Sequence, residues 1–168
     1  MRNFKIFTLF VLLAKFTTGQ TRSEKKEMQF DNVKEMIASG NFVFIADRAI
    51  GRGGSSVSLA ANPNYLKVQG DSTAALMPFF GERFNAGNVG ESGAIKFEAK
   101  IENQIVQHND KKGKTTFKFS ARNKYDRFGV ILEISRSGWA NLLIRSIDRS
   151  TINYYGQLRA LTSEEYGK

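Results

Sequence analysis

His108 is the only histidine in the chain, and Asp110 stands two residues beyond it. An imidazole oriented by a carboxylate is half of a general-base arrangement, and it needs a nucleophile to serve. No nucleophile motif accompanies the pair, and the surrounding QHNDKKGK has the composition of a polar hairpin turn. With one histidine and no cysteine, a transition-metal site lacks its usual ligands. No D-x-D-x-D-G loop offers calcium an oxygen cage. GRGGSS at 51–56 has the glycines of a phosphate loop but not its terminal Lys-Ser/Thr, and a strand-like segment follows where a helix is required. Glu98 and Glu102 share a strand face, but the rise per residue separates them by about 13 Å, too far for a retaining glycosidase pair. The residues therefore predict neither an enzyme nor a bound cofactor or metal.

Two groups of residues suit binding better. Lys111, Lys112, Lys114, Lys118 and Arg122 form a basic run, continued by Lys124 and Arg127, with Phe117 and Phe119 interleaved. Single-strand nucleic-acid binders pair a basic groove with exposed stacking aromatics. Strand alternation instead sends the Phe pair to the face opposite Lys118, so the expectation is a solvated basic face for an anionic envelope polymer, with no specific nucleic acid. The second group begins in ALMPFFGERF at 75–84. Pro78 cannot donate to a ladder and stops a strand or marks an edge. Phe79 and Phe80 are expected to plug the interior, and the glycine-rich NAGNVGESG that follows is long enough to gate an opening. Phe79, Phe80, Trp139 and Tyr154, with Phe97, Phe117 and Phe119, are the candidate lining for a small apolar ligand. The same residues also suit plain core filling.

These groups need a scaffold, and the chain supplies one. Its 168 residues are 41% hydrophobic with fourteen Phe, enough for one domain with a real core. Residues 1–19 are set apart from it. MRN, the apolar FKIFTLFVLLAKF and the small-residue TTG have the order of a signal peptide, and the apolar run is too short and too interrupted by lysine to span a bilayer. Cleavage after Gly19 removes Arg2, Lys5 and Lys15 and no acid, which takes the formal charge of +9 to +6. Export to the periplasm or the outside of a bacterium is expected, with no transmembrane segment left. The absence of cysteine leaves the core alone to hold the fold.

Residues 20–40 predict a helix, with Ser23 as a cap, an apolar stripe of Met28, Val33, Met36 and Ile37, and a stop at Gly40. Residues 41–162 predict one β domain. AIKFEAKIE turns Ile95, Phe97, Ala99 and Ile101 one way and Lys96, Glu98, Lys100 and Glu102 the other. TTFKFSARN and FGVILEIS repeat that alternation, and turn signals such as Asn62-Pro63, Gly70-Asp71, Lys112-Gly113 and Ser137-Gly138 recur at short intervals. An all-β fold with one N-terminal helix follows: an antiparallel meander closing into a small lipocalin-like β-barrel, since one amphipathic sheet must hide its apolar face. A two-sheet sandwich is the alternative.

YLKVQGD at 65–71, LMPFFG at 76–81, GWANL at 138–142 and RSTINYYG at 149–156 resemble the exported Gram-negative family called domain of unknown function 4251, over residues 35–161. Phe79 stands where that family usually has Tyr. The resemblance implies a lipocalin-like barrel and transfers no activity and no catalytic residue.

Overall fold

The structure, a computed structural model, describes residues 21–51, 54–82, 84, 93–124, 126–147 and 149–165. The signal-peptide expectation at 1–19 and most of the glycine-rich stretch after Phe84 lie outside the described residues.

α1 (Arg22–Ser39) starts at Thr21 rather than Ser23. The Thr21 hydroxyl accepts from the Glu24 N–H, and the Glu24 carboxylate accepts from the Thr21 N–H at 2.8 Å, a reciprocal capping box. Its buried face is Phe30, Val33 and Ile37, at i, i+3 and i+7, with Met36 packed alongside. Met28 falls off that face and is exposed, which corrects the expected stripe. Gly40 ends the helix, and its carbonyl accepts from Gly70 N–H.

The strands are β1 (Asn41–Ile50), β2 (Ser56–Ser58), β3 (Tyr65–Gln69), β4 (Ser72–Pro78), β5 (Ala94–Asn109), β6 (Lys114–Arg122), β7 (Arg127–Ser135), β8 (Trp139–Ser146) and β9 (Ile152–Ala160). From β3 onward each pairs antiparallel with the next, β1 joins β3, and β9 returns to β1. Eight strands thus close a barrel, and β2 is an extra strand beside the end of β1. Closure removes the edges that a sandwich would leave. Phe42, Phe44, Phe117, Leu132, Ile144 and Tyr154 fill the interior at 1% exposure or less. Phe42 meets Phe117 edge to face at 5.5 Å, and Phe97 stacks on Phe128 at 4.5 Å.

Chain direction sorts the connections into two ends. The β3–β4, β5–β6 and β7–β8 turns lie at the end where β1 begins, and there α1 packs against β1 and β6. The loops after β1, β4, β6 and β8 lie at the other end, the mouth. β5 runs further than the 94–102 expected. It passes a bulge between Glu102 and Ile105, and from Glu102 onward its residues are exposed. His108 consequently sits in a strand, and the turn begins after it.

β1 changes partner along one edge. It pairs with β3 from Asn41 to Phe44 and with β2 from Arg48 to Ile50. Asn64 bridges the gap. Its Oδ1 accepts from Ala46 N–H at 2.7 Å, and its amide donates to the Ala46 and Asn62 carbonyls at 3.0 Å. The side chain is 8% exposed and stands in for a missing strand residue. Asn64→Leu, similar in size but without hydrogen bonds, is expected to lower the unfolding free energy by about 3 kcal/mol, because both Ala46 backbone groups lose their partner. A denaturant midpoint within error of wild type would refute this.

Candidate functional site

At the mouth, Pro78 ends β4, opposite Ala94 and beyond the last residue of β3 that β4 pairs. Phe79 N–H donates to the Gly93 carbonyl at 2.8 Å, closing the base of the loop. The Phe79 ring is buried beneath the Arg149 guanidinium, 5.3 Å from its centroid, and Arg149 donates to the Ala94 carbonyl. Glu82 and Ser150 are tied twice: Glu82 N–H donates to the Ser150 hydroxyl, and Ser150 N–H donates to the Glu82 carbonyl. From inside the barrel, Tyr154 donates its hydroxyl to the Pro78 carbonyl at 2.9 Å. Burial holds that phenol protonated well above its ordinary range, against the opposing effect of the Arg149 charge, so it remains a donor. The corner is thus a pinned structural element.

Phe80 departs from expectation. It is 52% exposed, because successive residues of an extended chain face opposite ways and Phe79 takes the inner side. Phe84 at 60% and Ile147 at 75% are also exposed at this end.

Trp139 is a second correction. Ala140, Leu142 and Ile144 point inward, so Trp139 stands on the outer face at the opposite end from the mouth. It stacks on Tyr155 at 5.0 Å with an interplanar angle of 11°, and Arg48 covers Tyr155 at 4.6 Å. The stack runs across β8, β9 and β1. The alternation in WANLLI already carried this signal, since three apolar residues at period two outvote one aromatic. Phe97, Phe117 and Phe119 are core residues at 1–3% exposure and fill space between the sheet walls.

The basic run divides in two. Lys114, Lys118 and Arg122 project outward along β6, opposite the buried Thr115, Phe117, Phe119 and Ala121. Lys111 and Lys112 lie in the turn before it. Lys26 on α1 and Arg136 after β7 come to the same turn region, and their distance in sequence hid them from a linear reading. His108 shares a hydrogen bond between Nδ1 and the Thr115 hydroxyl at 2.9 Å. Asp110 is taken by Lys34 at 2.7 Å, whose hydrogen bond and charge hold that carboxyl below its usual range. The two candidates for a general-base pair therefore have different partners. Among the described residues no cluster of three or more His, Asp or Glu side chains is placed to hold a metal ion.

A family model described as domain of unknown function (DUF4251) matches residues 24–158. The chain belongs to the DUF4251 family. The match includes most of α1, ahead of the expected start at residue 35. The crystal structure of a DUF4251 family protein from Bacteroides eggerthii is similar, with a TM-score of 0.62 at 15% identity, covering 79% of this chain and 88% of that one. No curated protein matches the sequence. The stretches that carry the DUF4251 resemblance hold the pins of the barrel: LMPFFG supplies the corner, and RSTINYYG supplies Arg149, Ser150 and Tyr154 that secure it.

Proposed function

We propose that this DUF4251 chain is an exported, non-enzymatic binding module that takes a small apolar ligand at the barrel mouth. One observation carries the reading: the three most exposed large apolar side chains among the described residues, Ile147, Phe84 and Phe80, all belong to mouth connections. Apolar surface gathered at one place marks an interaction site more often than scattered single residues do. The packed interior directs the ligand to the rim, since Tyr154 and the phenylalanines occupy the space that an internal ligand would need. The engagement of His108 by Thr115 and of Asp110 by Lys34 supports the non-enzymatic part. The signal-like order of residues 1–19 supports export. The outward lysines and glutamates of β5 and β6 argue against a lipid-facing barrel wall.

An uncharged fluorescent probe, N-phenyl-1-naphthylamine, tests the mouth without engaging the basic face. Saturable binding is expected, weakened by about tenfold in the Phe80→Ser/Phe84→Ser double variant, as loss of partly buried apolar area predicts. Equal binding by the variant would refute the site. A second reading, an envelope interaction protein using its basic face, is favoured by the outward row of Lys114, Lys118 and Arg122. It requires association that weakens steeply with salt.

A further inference from the structure

At the end of the barrel away from the mouth, α1 and the turns after β5 and β7 border a shallow, open cleft of about 530 Å³. Lys26 lines it from the helix, Lys111 and Lys112 from the first turn, and Arg136 from the second, and Ser135 and Ser137, whose hydroxyls share a hydrogen bond at 3.1 Å, also line it. No acidic side chain lines this cleft among the described residues. The acids of this end, Glu27, Asp31 and Asp110, line an adjoining cleft that shares Arg136 with this one, and there Lys34 lies 3.5 Å from Asp31 and 2.7 Å from Asp110. The helix sends Lys26 and Glu27 to different clefts, because they leave it about 100° apart.

The arginine is held in place. Arg136 donates to the Asp110 carbonyl at 3.2 Å, and it lies across Gly113, where a Cβ would come within 1.7 Å of its Nε. Gly113 also has a φ of +58°, so glycine serves both the turn and the close approach of the guanidinium. One held planar fork, three exposed ammonium groups and a pair of linked hydroxyls make a receptor for a ligand with several clustered negative charges. We propose that this cleft binds a compound carrying two or more phosphate groups, either free or as a lipid headgroup. The site is independent of the mouth and would stand if the mouth bound nothing.

The test uses the full chain, inorganic tripolyphosphate and vesicles of phosphatidylcholine with and without cardiolipin, a lipid whose headgroup carries two phosphates, at low ionic strength. Trp139, the sole tryptophan, follows the second turn directly and provides a fluorescence reporter beside calorimetry. Lys112→Ala and Arg136→Ala are each expected to weaken binding by about fivefold to tenfold, the loss of one charge-assisted contact. Gly113→Ala should act like Arg136→Ala by displacing the guanidinium. Lys96→Ala removes the same charge from the outer face of β5 and should leave binding unchanged. Tripolyphosphate binding with this pattern establishes the site for free phosphates. Binding to the anionic vesicles alone, with the same pattern, assigns it to headgroups. Failure to bind either, or an equal loss with Lys96→Ala, would overturn the proposal.

Discussion

Replacing Gly156 by alanine is expected to lower the unfolding free energy by about 3 kcal/mol or more, the upper range for overpacking a close contact. Gly156 lies where β9 closes the barrel on β1, opposite Ala46 and beside the bulge between Ala46 and Arg48. A Cβ there would stand 2.0 Å from the Ile45 carbonyl oxygen and 2.6 Å from Ala46 Cα. These are backbone atoms and have no rotamer to escape into. The seam itself must spread, and with it the β1–β9 ladder. Gly129→Ala is the control, since its Cβ would meet only the Arg145 Cβ at 3.9 Å. With space available, that change is expected to be neutral or to stabilise by about 0.5 kcal/mol through the unfolded chain. Urea unfolding of both variants decides the matter. A Gly156→Ala protein as stable as Gly129→Ala would show that the seam tolerates a side chain.

Tyr154→Ala should cost about 4 kcal/mol, as for removal of other fully buried aromatic rings. Tyr154→Phe keeps the ring and deletes only the donor to the Pro78 carbonyl, so about 1 kcal/mol is expected. The two changes act at different places. The alanine variant opens the core and lowers global stability. The phenylalanine variant frees the end of β4, and its main signature should be faster hydrogen exchange at Phe79 N–H, which closes the loop onto Gly93. Equal unfolding midpoints for the two variants, or unchanged exchange at Phe79 in Tyr154→Phe, would contradict this division between ring and hydroxyl.

The mouth and the cationic cleft make separable demands. Phe80 and Phe84 contribute apolar area and no charge, whereas Lys112 and Arg136 contribute charge at the far end of the barrel. Binding of an uncharged probe should therefore be indifferent to salt, and binding of tripolyphosphate should fall as the Debye length shortens. A ligand that carries an apolar tail and a phosphorylated head cannot fill both places at once from one side, because α1 and the mouth lie at opposite ends.

Alternation along single strands was legible without any structure. The inward sets Phe117, Phe119 and Ala121, and Phe128, Val130, Leu132 and Ile134, follow from period two and reappear as core. The stop at Pro78 and the helix end at Gly40 follow from a missing donor and from the left-handed cap. Together they determined the fold class, a meander with one helix. Only the tertiary structure decided which aromatics share space. Phe80 went outward because Phe79 filled the inner position, and Trp139, whose outward face its own strand already indicated, found Tyr155 of the neighbouring strand to stack on. Asn64 completing the edge of β1, Gly156 at the seam and the meeting of Lys26 with Arg136 depend on contacts between residues far apart in sequence. Local patterning sets the face that a side chain takes on its own strand. Closure of the barrel sets what lies opposite that face, and no stretch of sequence contains both partners.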